Sequence, residues 1–150
     1  VCSSDLIDQH LLLKYGRVVQ AMSIPKRMQV TESTLGIVQD FTTHCCEKLG
    51  LSGEVNVELA TQPLDHPTAG MYLPQENRII VCVVNRAIAD CLRTLAHELT
   101  HKKQRDVDGV EEFPDNDDEL QKYEDEANVM SGRLVRFYGR EHREIYADLG

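Results

Sequence analysis

Hydrophobic positions along this chain recur with two periods, and the switches between them divide it into elements. Residues 6–22 carry Leu11, Leu12, Leu13, Val18 and Val19 and read as an amphipathic helix that Ile24-Pro25 ends. Leu35, Val38, Phe41, Thr42, Cys45 and Leu49 then recur at three- and four-residue steps. That spacing predicts a core-packing helix, capped by Thr31 or Ser33 and stopped by Gly50. From Glu54 the period falls to two: Val55, Val57 and Leu59 point one way, Glu54, Asn56 and Glu58 the other, as in a half-buried strand.

Residues 62–68, with Pro63 and Pro67, form a loop. Two further strands are expected at 69–73 and 78–84, joined by a turn through Pro74-Gln75-Glu76-Asn77. The second is almost wholly apolar and is expected to be the most buried. Helical spacing returns with Ile88, Leu92, Leu95, Ala96 and Leu99, in a helix that Asn85 can cap and whose end carries Lys102, Lys103 and Arg105. Residues 106–119 hold eight acidic side chains among fourteen, with Gly109 and Pro114, and read as a solvated acidic loop. Asp115-Asn116-Asp117-Asp118 lacks the rest of an EF-hand loop. A last long helix is expected from about 119 to 138, ending at Gly139.

Composition narrows the class. The 150 residues fit one domain, 1–150, and at 41% hydrophobic and 27% charged they describe a globular chain. No run of about eighteen apolar residues offers a membrane span. The net charge of −9 argues against nucleic acid as a partner and favours basic ones. Cys2, Cys45, Cys46, Cys82 and Cys91 follow neither a disulfide framework nor a zinc knuckle, so reduced thiols and a cytoplasmic setting are expected. Val1-Cys2-Ser3-Ser4-Asp5-Leu6 looks like a translated sequencing-adapter end, and residues 1–6 are left out of fold reasoning.

The chemistry lies in His97-Glu98-Leu99-Thr100-His101. At this chain's His and Glu content the pattern arises by chance about 0.02 times, too seldom for coincidence to be the first explanation. On a helix the two His stand roughly 40° and 6 Å apart, close enough to share one metal. Glu98 is turned about 60° from His101, poorly placed as a ligand and well placed to take a proton from water. A catalytic zinc needs a third protein ligand and leaves its fourth position open. With Glu124 as origin of a helical wheel, Leu120, Ala127, Ser131, Leu134, Val135 and Tyr138 fall between about −80° and +20°. Glu124 therefore faces the core. Glu126, near 200°, faces away, and Asn128, one turn on, can hydrogen-bond a metal-bound His.

These two motifs resemble the gluzincin metallopeptidases. The His-Glu-Leu-Thr-His string is that of the thermolysin family, and Glu124 followed by Asn128 resembles that clan's Glu-x-x-x-Asp/Asn helix. The size and the Glu-Ala-Asn neighbourhood are closer to ImmA/IrrE-type and minimal gluzincins. The resemblance spans about residues 55–138 and implies His97, His101 and Glu124 as zinc ligands and Glu98 as general base. Lys102 departs from it by placing a charge after the second His, which predicts a more exposed helix end. No His or Tyr matches the residue that stabilises the oxyanion; Tyr72, Tyr123, Tyr138 and His142 are the candidates, unranked.

The expected fold is α+β: N-terminal helices, a sheet of about three strands, then the active-site helix packed with the glutamate helix. The expected function is zinc-dependent hydrolysis of a peptide or protein substrate, with no membrane partner. A substrate strand would pair with residues 69–73 or 78–84, whichever forms the sheet edge. Two rivals use the same residues: a zinc-binding regulatory or mobile-element accessory protein with little turnover, and a zinc amidase acting on a non-peptide substrate.

Overall fold

The computed structural model describes residues 7–14, 17–21, 31–65 and 68–146, with side chains from residue 31 onward. It is an α+β fold. The three expected strands are β3 (Glu54–Ala60), β4 (Gly70–Leu73) and β5 (Arg78–Cys82), and β3 runs parallel to β5 while β4 runs antiparallel to it. Helices α1 (Glu32–Leu49), α2 (Ile88–Asp106) and α3 (Asp117–Glu141) complete the fold.

One expectation fails at the N-terminus. The segment read as a first helix forms two antiparallel strands, β1 (Ile7–Lys14) and β2 (Arg17–Ala21), which extend the sheet to the order β2-β1-β3-β5-β4. Consecutive apolar residues such as Leu11, Leu12 and Leu13 fit either period, and β3 decides between them: Leu11 pairs with Val57 and Leu13 with Val55 across an antiparallel ladder. Pairing with a strand formed far along the chain overrides the local pattern.

The other boundaries follow local chemistry. Thr31, not Ser33, caps α1, its Oγ1 accepting from the Thr34 amide at 3.1 Å, and Gly50 ends it in the left-handed region at φ 72°. Asn85 does not cap α2. It turns the chain at φ 52°, and the helix starts three residues later, at Ile88, behind Ala87. Part of the acidic run belongs to α3, because Asn116 caps that helix and Asp117, Asp118 and Glu119 form its first turn, where carboxylates meet the positive end of the dipole. At the other end α3 runs through Gly139. The Tyr146 ring lies where a Cβ would stand, so this glycine serves close packing and not a helix stop.

The core sits between one face of the sheet and the helices. Val55, Val57 and Leu59 of β3 and Ile79 and Val81 of β5 meet Leu92, Leu95, Ala96 and Leu99 of α2, with Phe41 and Cys45 of α1 and Leu134 of α3 closing it. Helix α2 is thus the central element, buried on several sides. Cys45, Cys46, Cys82 and Cys91 are buried free thiols, and burial pushes the Cys46 and Cys91 thiols up to about 11. Among the described residues no helix is long and apolar enough to cross a membrane.

Candidate metal centre

The ten residues between α2 and α3 return the chain on itself, so the two helices run antiparallel: Gln104 meets Tyr123, His101 meets Glu124. That alignment sets three ligand atoms together. His97 Nε2 and His101 Nε2 are 3.1 Å apart, and the Glu124 carboxylate oxygens lie 3.2 Å from the first and 3.0 Å from the second. His97, His101 and Glu124 form a triad that can hold a metal ion. The helical phase that selected Glu124 is met.

Each histidine is oriented from behind. His101 Nδ1 lies 2.8 Å from Gln104 Oε1, and the Gln104 nitrogen donates to the Tyr123 carbonyl at 3.0 Å and to Glu126 at 2.8 Å. Two acceptors on the nitrogen side fix the amide, so its oxygen accepts the His101 Nδ1 proton and leaves Nε2 bare toward the triad. Gln104 is buried at 1% exposure, and this linkage ties the metal-binding end of α2 to α3. Burial, then the neighbouring His101, lowers the His97 pKa against the pull of Glu124 and of an Asn128 hydrogen bond. Burial thus favours the neutral form of His97, the form that binds metal. Asn128, expected to hydrogen-bond a ligand His, lies at the exposed rim on the His97 side of the triad.

Glu126 does not simply face away as the wheel implied. Its carboxylate reaches round to Gln104 and to Lys103 at 3.1 Å, and the Gln104 bond first, with help from Lys103, lowers its pKa. It braces the centre and is no ligand in this arrangement. Phe113, in the loop read as solvated, stands edge-on to His101 with ring centroids 5.5 Å apart and to Tyr123 at 5.6 Å.

Glu98 is 9% exposed beside the triad. Burial, with the Glu124 charge second, pushes its carboxyl from 4.5 up to about 7. A group titrating there can accept and return a proton near neutrality.

The Lys102 expectation is overturned. Its side chain is buried, with Nζ 2.7 Å from Asn77 Oδ1 and 2.7 Å from Asp106, so it pins the β4–β5 turn to α2 and seals that end of the helix. The aromatic candidates for the oxyanion also resolve in part. Tyr138 donates to Asp40 at 2.7 Å and His142 stacks on Tyr138 at 4.0 Å, both engaged with the α1 side of the molecule. Tyr72 packs against the core, its hydroxyl pushed up to about 12 by burial and Asp106. Tyr123 packs on Phe113.

A cleft of about 380 Å³ opens beside His97 and Glu98, between β4, α2 and α3. Gly70 shapes it. A Cβ there would run into Thr94 Cγ2 and stand 3.6 Å from Glu98 Cγ, so only glycine lets the strand lie this close to the helix. β4 is the sheet edge. The Cys82 amide donates to the Ala69 carbonyl at 2.8 Å, and alternation along an antiparallel ladder then turns the backbone groups of Gly70 and Tyr72 outward, where the Thr68 hydroxyl caps those of Gly70, donating to its carbonyl at 2.7 Å.

Gln104, Phe113 and Gly70 were not singled out from sequence. Gln104 had a legible signal, since it stands three residues after His101 on the same helix face. The other two depend on tertiary contacts that no local pattern encodes. Compared with known proteins, the chain matches no family model, no curated protein and no solved structure.

Proposed function

We propose that this chain is a zinc-dependent peptidase of gluzincin type, with His97, His101 and Glu124 as ligands and Glu98 as general base. The observation that carries the reading is the triad's spacing beside a buried carboxylate. Four-coordinate zinc, with bonds of about 2.0–2.1 Å, sets its ligand atoms about 3.3 Å apart, and the separations here are 3.0 to 3.2 Å. The donor set fits zinc, a borderline-soft ion that takes nitrogen and carboxylate oxygen in tetrahedral sites.

Zinc held there supplies a Lewis acid that polarises a carbonyl and acidifies water. The chain's own residues do the rest. Glu98 accepts the proton from the attacking water and returns it to the leaving amine, its buried carboxylate standing beside the triad. Gln104 and Asn128 hold the two imidazoles in their ligating orientation. On the β4 edge the outward backbone groups of Tyr72 offer an extended substrate a place to pair, while the Thr68 hydroxyl occupies those of Gly70 nearest Glu98.

The test is Glu98→Gln in zinc-loaded protein. The reading requires that zinc be retained and that hydrolysis of a peptide library, followed by mass spectrometry, be lost. Unchanged hydrolysis removes Glu98 from its role, and absence of hydrolysis in the parent protein favours the non-catalytic zinc-binding rival.

A further inference from the structure

Beside the triad, the cleft is lined by as many cations as carboxylates, unlike the strongly acidic chain as a whole. Asp90, Arg93, Thr94, His97 and Glu98 follow one another at helical spacing along the face of α2 that lines it, and Arg86 stands at its N-terminal end. Outside the metal-binding residues and Glu98, two guanidinium groups face one carboxylate, Asp90. The two arginines differ. Arg86 is committed to the fold, donating to the Cys82 carbonyl at 2.7 Å, the Asp90 carbonyl at 2.9 Å and Thr94 Oγ1 at 2.6 Å. Arg93 is exposed and has no hydrogen-bond or ion-pair partner among the described residues.

Position gives this free cation a meaning. Arg93 precedes His97 by four residues, about 6 Å along the helix axis. The metal centre lies between His97 and His101, about 9 Å from Arg93 along that axis, and an extended peptide laid along α2 at about 3.3 Å per residue covers this in about three residues. A guanidinium with unfilled donors at this place matches a carboxylate, which it can bind through two parallel hydrogen bonds.

We propose that Arg93 is a specificity-determining residue, and that the cleft takes substrates bearing a carboxylate within about three residues of the reacting carbonyl. The overall charge of −9 had favoured basic substrates; the Arg93 guanidinium in the cleft favours an acidic group at this one position. The inference rests on the metal centre being the reacting site, and it concerns recognition there. The carboxylate belongs to an Asp or Glu side chain or to a chain end, and the test separates the two.

The probes are N-acetylated hexapeptides on one uncharged parent: amidated peptides with a single Glu walked through the positions, the same set with Lys, and the parent with a free C-terminal carboxylate. Binding is measured by calorimetry on zinc-loaded Glu98→Gln protein, with and without Arg93→Gln, and hydrolysis of the same peptides by the unaltered protein is followed by mass spectrometry. A charge-assisted bidentate contact predicts that one Glu position, or the free carboxylate, tightens binding about tenfold over the parent. Arg93→Gln should abolish that gain and leave the affinity for the parent unchanged. Equal binding of charged and uncharged peptides, tighter binding of the Lys set, a gain that survives Arg93→Gln, or no binding at all overturns the proposal. Hydrolysis without carboxylate preference overturns this inference and leaves the peptidase reading standing. Arg93-dependent binding without hydrolysis does the reverse.

Discussion

Glu98 makes the metal-free protein sensitive to pH in a way that can be worked out in advance. Its carboxyl titrates at about 7 in the fold and at 4.5 when unconstrained, because burial and the Glu124 charge both oppose its ionised form. A carboxyl raised in this way binds its proton more tightly when folded. Its contribution to stability is complete below pH 4.5 and is lost as pH rises to about 7, since the buried anion must then be tolerated. The difference between the two values corresponds to roughly 3 kcal/mol, a large share of a small domain's stability. Urea unfolding of chelator-treated protein between pH 4.5 and 8 measures it, with Glu98→Gln as the reference that carries no titrating proton. The stability of the unaltered protein should fall by about 3 kcal/mol relative to the variant across that range. Saturating zinc should flatten the difference, because a nearby dication favours the carboxylate. Parallel stability curves for the two metal-free proteins would refute the reasoning.

Other perturbations read other parts of the structure. Gln104→Leu leaves the His101 Nδ1 proton without its acceptor and should weaken zinc binding about 10- to 100-fold in a competition titration, against little change for an exposed substitution such as Gln121→Leu. Gly70→Ala drives a methyl into Thr94 Cγ2 and should lower stability by about 1–3 kcal/mol in thermal melts; Thr94→Ser, which removes that methyl and keeps the hydroxyl bonded to Arg86, should restore part of the loss. Lys102→Met releases Asn77 from α2 and should raise amide exchange in the β4–β5 turn while leaving the far β1–β2 pair unaffected.

The sequence was informative wherever one residue's role depends on its own helix or strand. The His97-Glu98-x-x-His101 spacing, the inward phase of Glu124, the Val55-Val57-Leu59 alternation and the Thr31 and Gly50 boundaries are all local, and all appear in the fold. Where a neighbour decides, the pattern was silent or misleading. Residues 7–14 are strand because β3 offers them a ladder. Glu126 bends toward α2 because Gln104 and Lys103 stand there to receive it. Lys102 is buried because Asn77 and Asp106 supply its partners. A helical wheel assigns a direction to a side chain's root, and a long charged side chain can still travel to a partner on another element.

The claim on which everything else depends is that His97, His101 and Glu124 together hold zinc. Calorimetric zinc titration of the metal-free protein, compared with His97→Ala, His101→Ala, Glu124→Ala and Glu126→Ala, tests it most directly. The account predicts stoichiometric, tight binding in the unaltered protein, binding retained with at most modest weakening in Glu126→Ala, and loss of tight binding in the other three. No stoichiometric zinc in the unaltered protein, or binding that survives Glu124→Ala and fails in Glu126→Ala, would contradict it.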